Sequence, residues 1–175
     1  MAEGRLPPQA LDIERTVLGS ILIDNNALDT AMEILTEESF YSTAHKKIFQ
    51  CMMDMFQHDI PVDLVTISEE LRKKEWLQNA GSEAYLSELT EDVATSANIE
   101  YHARILQEKA TLRNLISVAA EISTDCFEPD AEAKNVVDLA ESKIFTITDS
   151  TIKNRPEQIR DLLSTIFEDI ERYAK

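Results

Sequence analysis

The stretch from Asn98 to Thr148 carries more apolar helical surface than one helical hairpin can bury. Its spacing predicts two long amphipathic helices joined by a short acidic turn at Glu128-Pro129-Asp130. In the second helix Ala133, Val137, Ala140, Ile144 and Ile147 keep the 4-3-4-3 interval of a single buried stripe, with Val136, Leu139 and Phe145 lying off it. In the first helix Leu112, Leu115, Ala119, Ile122 and Cys126 form one stripe, and Ile99, Ala103, Leu106 and Ala110 form another on an earlier stretch. Ile116, Ala120 and Phe127 fall beside them. A hairpin needs one apolar face per helix. Each extra face needs cover from the rest of the chain or from another subunit. The pattern suits association rather than catalysis.

The rest of the chain reads as helical too. Three glycines and five prolines in 175 residues disfavour a turn-rich β fold. Leu11, Val17, Leu18, Ile21 and Leu22 predict a helix from about Gln9 to Ile23, broken by Asp24-Asn25-Asn26. A short helix carries Leu28, Met32 and Leu35. Ser42 or Thr43 caps the next, whose stripe runs His45, Ile48/Phe49, Met52 and Phe56. Thr66 and Glu69 have capping-box spacing for a helix over Ile67 to Lys74, with Asp63 as a competing cap. After the turn Asn79-Ala80-Gly81, residues Ser82 to Glu91 form a further helix, and Thr95 or Ser96 caps the first hairpin helix. The polar run Asp149 to Asn154 reads as a linker. Pro156 then opens a last helix, with Ile159, Leu162, Leu163, Ile166, Phe167, Ile170 and Tyr173 on one side. The expected layout is all-α: a helical bundle over residues 1–95, a hairpin for self-association over 96–149, and a linker with a docking helix over 150–175.

Composition and motifs exclude most chemistry. A net charge of −16 makes the chain a poor binder of phosphate backbones, so its partners are expected to be proteins. There is no apolar segment long enough for a signal peptide or a membrane span, and two distant cysteines, Cys51 and Cys126, fit a reduced cytoplasmic setting. Gly19 and Gly81 cannot build a P-loop or a dinucleotide-binding fingerprint. No CxxC, HExxH or Glu-x-x-His occurs, so no metal or other cofactor is expected in this chain. His45 continues an apolar stripe and reads as a satisfied histidine at the core edge; the sharper alternative, a phosphotransfer histidine, needs an exposed ring. His58 and His102 read as surface residues.

Five segments in register carry a resemblance. They are Leu6-Pro7-Pro8-Gln9 with Ile13-Glu14 and Val17-Leu18-Gly19; Ser39-Phe40-Tyr41 with His45 and Ile48-Phe49; Pro61-Val62-Asp63-Leu64-Val65-Thr66-Ile67; Ala84-Tyr85-Leu86 with Leu89; and Ala97 to Leu106 followed by Lys109 and Leu112-Arg113. In order and spacing, over residues 6–149, the chain resembles the N-terminal collar domain of the bacterial replicative DNA helicases, the DnaB family. The resemblance implies a bundle plus a hairpin, with hairpins pairing between subunits and a hexameric ring built as a trimer of dimers. It implies docking of the primase C-terminal helical domain on the collar, action of helicase loaders there, and a linker helix after the collar that packs on a neighbouring subunit's ATPase domain. The helicase reaction, with its ATP and magnesium, belongs in that family to a RecA-like domain for which this chain has no motif. Two departures stand out: Ser82 replaces the second of two glycines, making that turn less permissive, and Asp12-Ile13-Glu14 replaces Glu-Ala-Glu.

Candidate residues follow. Tyr85, Ile116 and Ile122, with Asp12, match the family's bundle–hairpin surface and are candidates for partner contact, although Ile116 and Ile122 equally suit packing inside the hairpin or dimer. Leu112, Leu115, Ala119, Val136, Leu139 and Phe145 are candidates for self-association, and Ile159, Leu162, Leu163, Ile166 and Phe167 for docking of the last helix. The alternatives to a helicase collar are a free-standing helical adaptor of the replisome and the phosphotransfer bundle.

Overall fold

The computed structural model describes the backbone of residues 6–153 and the side chains of residues 6–148. These residues contain seven α-helices and no strand: α1 (Leu11–Ile23), α2 (Asn26–Ile34), α3 (Thr43–Gln57), α4 (Leu64–Lys73), α5 (Ser82–Glu91), α6 (Ile99–Asp125) and α7 (Ala133–Lys153), with a 3-10 turn at Glu37–Ser39. No helix among them is long and apolar enough to cross a membrane. The all-α expectation holds. The candidates Ile159, Leu162, Leu163, Ile166 and Phe167 lie outside the described residues.

One core unites α1 to α5 with the first half of α6. Phe40 and Phe49 pack at 4.9 Å between ring centroids, among fully buried Val17, Leu18, Ile21, Ile48, Met52, Ile67, Leu71, Leu86 and Leu89. Ile99, Ala103 and Leu106 join the same cluster. One of the surplus stripes of α6 is therefore covered by the bundle itself. Beyond Ala110 no described residue of α6 or α7 is buried.

Several local expectations shift by a residue or a cap. In α3 it is Met55 that is buried, while Phe56 is 42% exposed, because the helix turns Cys51, Met52 and Met55 inward together. Helix α4 is capped by Asp63, not Thr66. The Asp63 carboxylate accepts from the Val65 and Thr66 amides at 2.8 and 2.9 Å, and Thr66 Oγ1 accepts from the Asp63 amide at 3.0 Å. The N-cap of α6 is Asn98, since the Ser96 hydroxyl is taken by Asp24 at 2.8 Å. Helix α7 runs on to Lys153, through the segment whose polarity suggests a linker: no glycine or proline interrupts it before Pro156, and polar composition alone does not end a helix.

Glycine scarcity has a visible consequence. Helices α3 and α4 both end in Schellman motifs, with the Ile60 amide on the Met55 carbonyl at 2.9 Å and the Trp76 amide on the Leu71 carbonyl at 2.8 Å. The left-handed position in each is filled by a charged residue, Asp59 at φ 55° and Glu75 at φ 58°. Ser82, at the departure from the family's glycine pair, has φ 77° next to Gly81 at 100°. Gly19 has a different role. Helices α1 and α5 touch there so closely that a Cβ would stand 2.0 Å from the Leu89 carbonyl oxygen.

Candidate functional site

Two surfaces emerge from this scaffold: the hairpin, and the notch where the hairpin leaves the bundle.

Beyond Arg113 the half-buried residues of α6 are Val118, Ile122 and Asp125, and those of α7 among the described side chains are Val136, Ala140, Lys143 and Ile147. Each set keeps helical spacing, so these are the faces the two helices turn to each other. Of the expected stripe of α7, Ala140 and Ile147 face inward, whereas Val136 and Lys143 take the places expected for Val137 and Ile144. Val137 and Ile144 are 55% and 48% exposed. Lys143 takes the inward position instead. Its stem crosses to α6 and its ammonium reaches Glu121 at 3.1 Å and Asp125 at 3.2 Å.

Stepping about 100° per residue from that inward line separates the remaining positions. Leu112, Leu115, Ala119 and Cys126 fall on one flank of α6, and Val137 and Ile144 on one flank of α7. Because the helices are antiparallel, these two flanks form the same side of the hairpin. All six residues are exposed. The opposite side is a groove of about 350 Å³ lined by Asn114, Ser117, Glu121, Lys143 and Thr146 over a floor of Val118 and Ile147. The six self-association candidates therefore do not share a face. Leu112, Leu115 and Ala119 lie on the apolar side, Val136 faces α6, Leu139 flanks the groove, and Phe145 points away from α6 at 70% exposure. Cys126, Val137 and Ile144 complete the apolar side. The helical phase of Lys143 was the signal that would have revealed them.

The notch is built around Arg113, three residues beyond the last buried position of α6. Its guanidinium donates to the carbonyls of Pro8 at 3.0 Å, Ser39 at 2.8 Å and Glu38 at 3.2 Å. It also stands 5.8 Å from the Tyr41 ring. Burial holds Arg113 below its ordinary pKa. One side chain thus fixes the base of the hairpin to the segment before α1 and the segment before α3. On the far side of that segment, Glu14 accepts from the Tyr41 amide at 2.6 Å and the Ser42 amide at 3.2 Å. Glu14 also meets His45 Nδ1 at 2.6 Å, and His45 Nε2 meets the Tyr85 hydroxyl at 2.5 Å.

Tyr85 is half-buried, and burial raises its phenol above the ordinary pKa while Arg15 opposes the shift. Arg15 lies 5.3 Å from the Tyr85 ring centroid and pairs with Asp92 at 2.6 Å. Asp12 is exposed one turn before Arg15 on α1, and Ile116 is 56% exposed one turn beyond Arg113 on α6. Arg15 thus connects α1, which carries Asp12, to Tyr85 on α5, while Ile116 follows Arg113 on α6. Ile122 is separate: it is half-buried toward α7, two turns farther along. His45 is 3% exposed with both ring nitrogens engaged, which leaves a phosphodonor no approach. Glu14 and Arg113 were not singled out from the sequence. Glu14 could have been, as the one acid in phase with the buried positions Val17, Leu18 and Ile21.

Comparisons with known proteins place this fold in a family. The profile of the DnaB-like helicase N terminal domain matches residues 6–108. The replicative DNA helicase DnaB of Rhodothermus marinus is 40% identical over 168 residues, 96% of this chain and 18% of that protein. That of Geobacillus stearothermophilus is 41% identical over 167 residues, 95% of this chain and 37% of its own length. The chain thus spans well under half the length of these relatives. Among solved structures, the N-terminal domain of the DnaB helicase from Mycobacterium tuberculosis aligns with a TM-score of 0.74 at 33% identity, covering 81% of this chain and 99% of that one. A DnaB-like replicative helicase described with its interactions with primase aligns with a TM-score of 0.67 at 26% identity, covering 93% of this chain and 35% of that one. By the profile match and the shared bundle-and-hairpin fold, this chain belongs to the DnaB-like helicase N-terminal domain family.

Proposed function

We propose that this chain is the non-catalytic assembly and docking domain of a replicative DNA helicase. The observation that carries the reading is the uncovered apolar side of the hairpin, Leu112, Leu115, Ala119 and Cys126 beside Val137 and Ile144. No other element of the described chain packs on it. In this reading the side pairs with a second copy of the hairpin, and such pairs build the hexameric ring of the full-length protein. ATP, magnesium and strand separation belong to a separate RecA-like domain. The notch at Asp12, Tyr85 and Ile116 receives the C-terminal helical domain of primase, which holds primer synthesis at the unwinding fork in the cytoplasm. The related helicase described with primase supports this choice of partner. A loader acts on the same collar.

The test is sedimentation of the full 175-residue chain at micromolar concentration. The wild type is expected to form dimers or larger assemblies, and Leu115→Asp or Ile144→Asp to sediment as monomers with unchanged helicity. A strictly monomeric wild type refutes the pairing.

A further inference from the structure

Tyr85 is held more firmly than its half-exposed position requires. A carboxylate oxygen can only accept, so the Glu14–His45 contact places a proton on Nδ1. In the neutral ring Nε2 is then the acceptor for the Tyr85 hydroxyl. Glu14 and His45 are 0% and 3% exposed. The hydroxyl is therefore aimed into the bundle. The ring is further confined by Arg15 and by the backbone of Gly81, where a Cβ would come within 2.7 Å of Tyr85 Cδ1.

Taking a carboxylate and an imidazole out of water is unfavourable, and apolar side chains of similar volume commonly serve a core as well or better. This pair does more than fill space. Glu14 gathers α1 and the segment before α3, and His45 passes that anchor to one surface side chain on α5.

We propose that Glu14 and His45 are positioning residues for docking at Tyr85: they pin the hydroxyl inward, so that a partner meets the ring edge and the Arg15 guanidinium. The proposal rests on the reading that Tyr85 belongs to the primase-docking notch. It also defines the chemistry of the fit. Glu88 and Asp92 are exposed beside the ring, and Arg15 is already paired with Asp92. The complementary surface is an apolar edge flanked by lysine or arginine, and its affinity falls with salt.

The experiment measures binding of the full chain to the C-terminal helical domain of primase from the same genome, alongside NMR of the Tyr85 hydroxyl proton. In the wild type that proton exchanges slowly; in His45→Leu its signal is lost. His45→Leu and Tyr85→Phe each weaken binding by roughly three- to tenfold, and the double variant is no weaker than either single one, since both remove the same link. His45→Gln, whose amide can still reach the hydroxyl, retains more affinity than His45→Leu. Tyr85→Phe deletes a single oxygen, which keeps the test open if His45→Leu fails to fold. If Tyr85→Ala leaves binding unchanged, the docking notch itself is misplaced. If Tyr85→Ala abolishes binding while His45→Leu and Tyr85→Phe leave it intact, or if their effects multiply, docking at Tyr85 stands and the positioning role is refuted.

Discussion

Gly19→Ala offers the sharpest test of how the bundle is held. In an exposed helix interior this change stabilises by about 1 kcal/mol. Here the new Cβ would stand 2.0 Å from the Leu89 carbonyl oxygen, 3.0 Å from its carbon and 2.7 Å from Val93 Cγ2. Ordinary contact needs roughly 3.5 Å, so α1 and α5 must part by more than about 1 Å. The obstacle is backbone, which has no rotamer to escape into. Overpacking of this kind costs about 1–3 kcal/mol, occasionally more, and the displacement also stretches the bonds joining Arg15 to Asp92 and His45 to Tyr85. After subtracting the helix gain, the expected net loss is about 2 kcal/mol. In urea the midpoint falls with an unchanged slope, and the thermal midpoint drops by roughly 4–8 °C for a chain of this size. On the function proposed above, primase binding weakens as well, because Tyr85 rides on α5. A neutral or stabilised Gly19→Ala protein would refute the close approach of the two helices.

Other expectations follow from single groups. Hydrogen bonds from the Thr66 and Val65 amides hold the Asp63 carboxylate below its ordinary pKa, so its contribution is present above pH 4 and disappears as pH falls through the lowered value. Asp63→Ala should cost about 1 kcal/mol near neutrality, with the gap from wild type closing in acid denaturation curves. Glu75→Gly relieves a left-handed residue and should stabilise by up to about 1 kcal/mol in chemical denaturation; destabilisation would mean the Glu75 backbone is not strained. Burial pushes the Cys51 thiol up to about 11, so at pH 8 a thiol reagent should label exposed Cys126 quickly and Cys51 only on unfolding. Labelling of Cys126 should slow as protein concentration rises if the apolar side of the hairpin pairs as proposed.

The helices were legible because the apolar residues repeat at helical intervals and almost no glycine or proline interrupts them. The role of His45 was also legible, since it stands in phase with Ile48, Phe49 and Met52. What local spacing could not reveal was settled by partners far away in the chain. Lys143 stands inward because Glu121 and Asp125 wait across the turn, and a pattern of hydrophobicity alone passes over a lysine. Asp63 displaces Thr66 as a cap because both can form the box and the carboxylate reaches two amides at once. The notch depends on bonds between residues as distant as Arg113 and Pro8, and His45 and Tyr85, which no periodicity encodes. Tyr85 could be nominated by resemblance, but its anchoring could not.

Beyond Ala110 no described residue of the hairpin joins the bundle core or is buried. Its two helices therefore open at far lower free energy than the bundle, and amide exchange should divide the chain at that boundary. Whatever covers the apolar side stabilises the hairpin by mass action, through the logarithm of its own concentration. The order of this arm is then a property of the assembly rather than of the chain. In dilute solution it is expected to fray while the bundle stays folded, and in the ring proposed above, where a neighbour is tethered at high effective concentration, to become rigid.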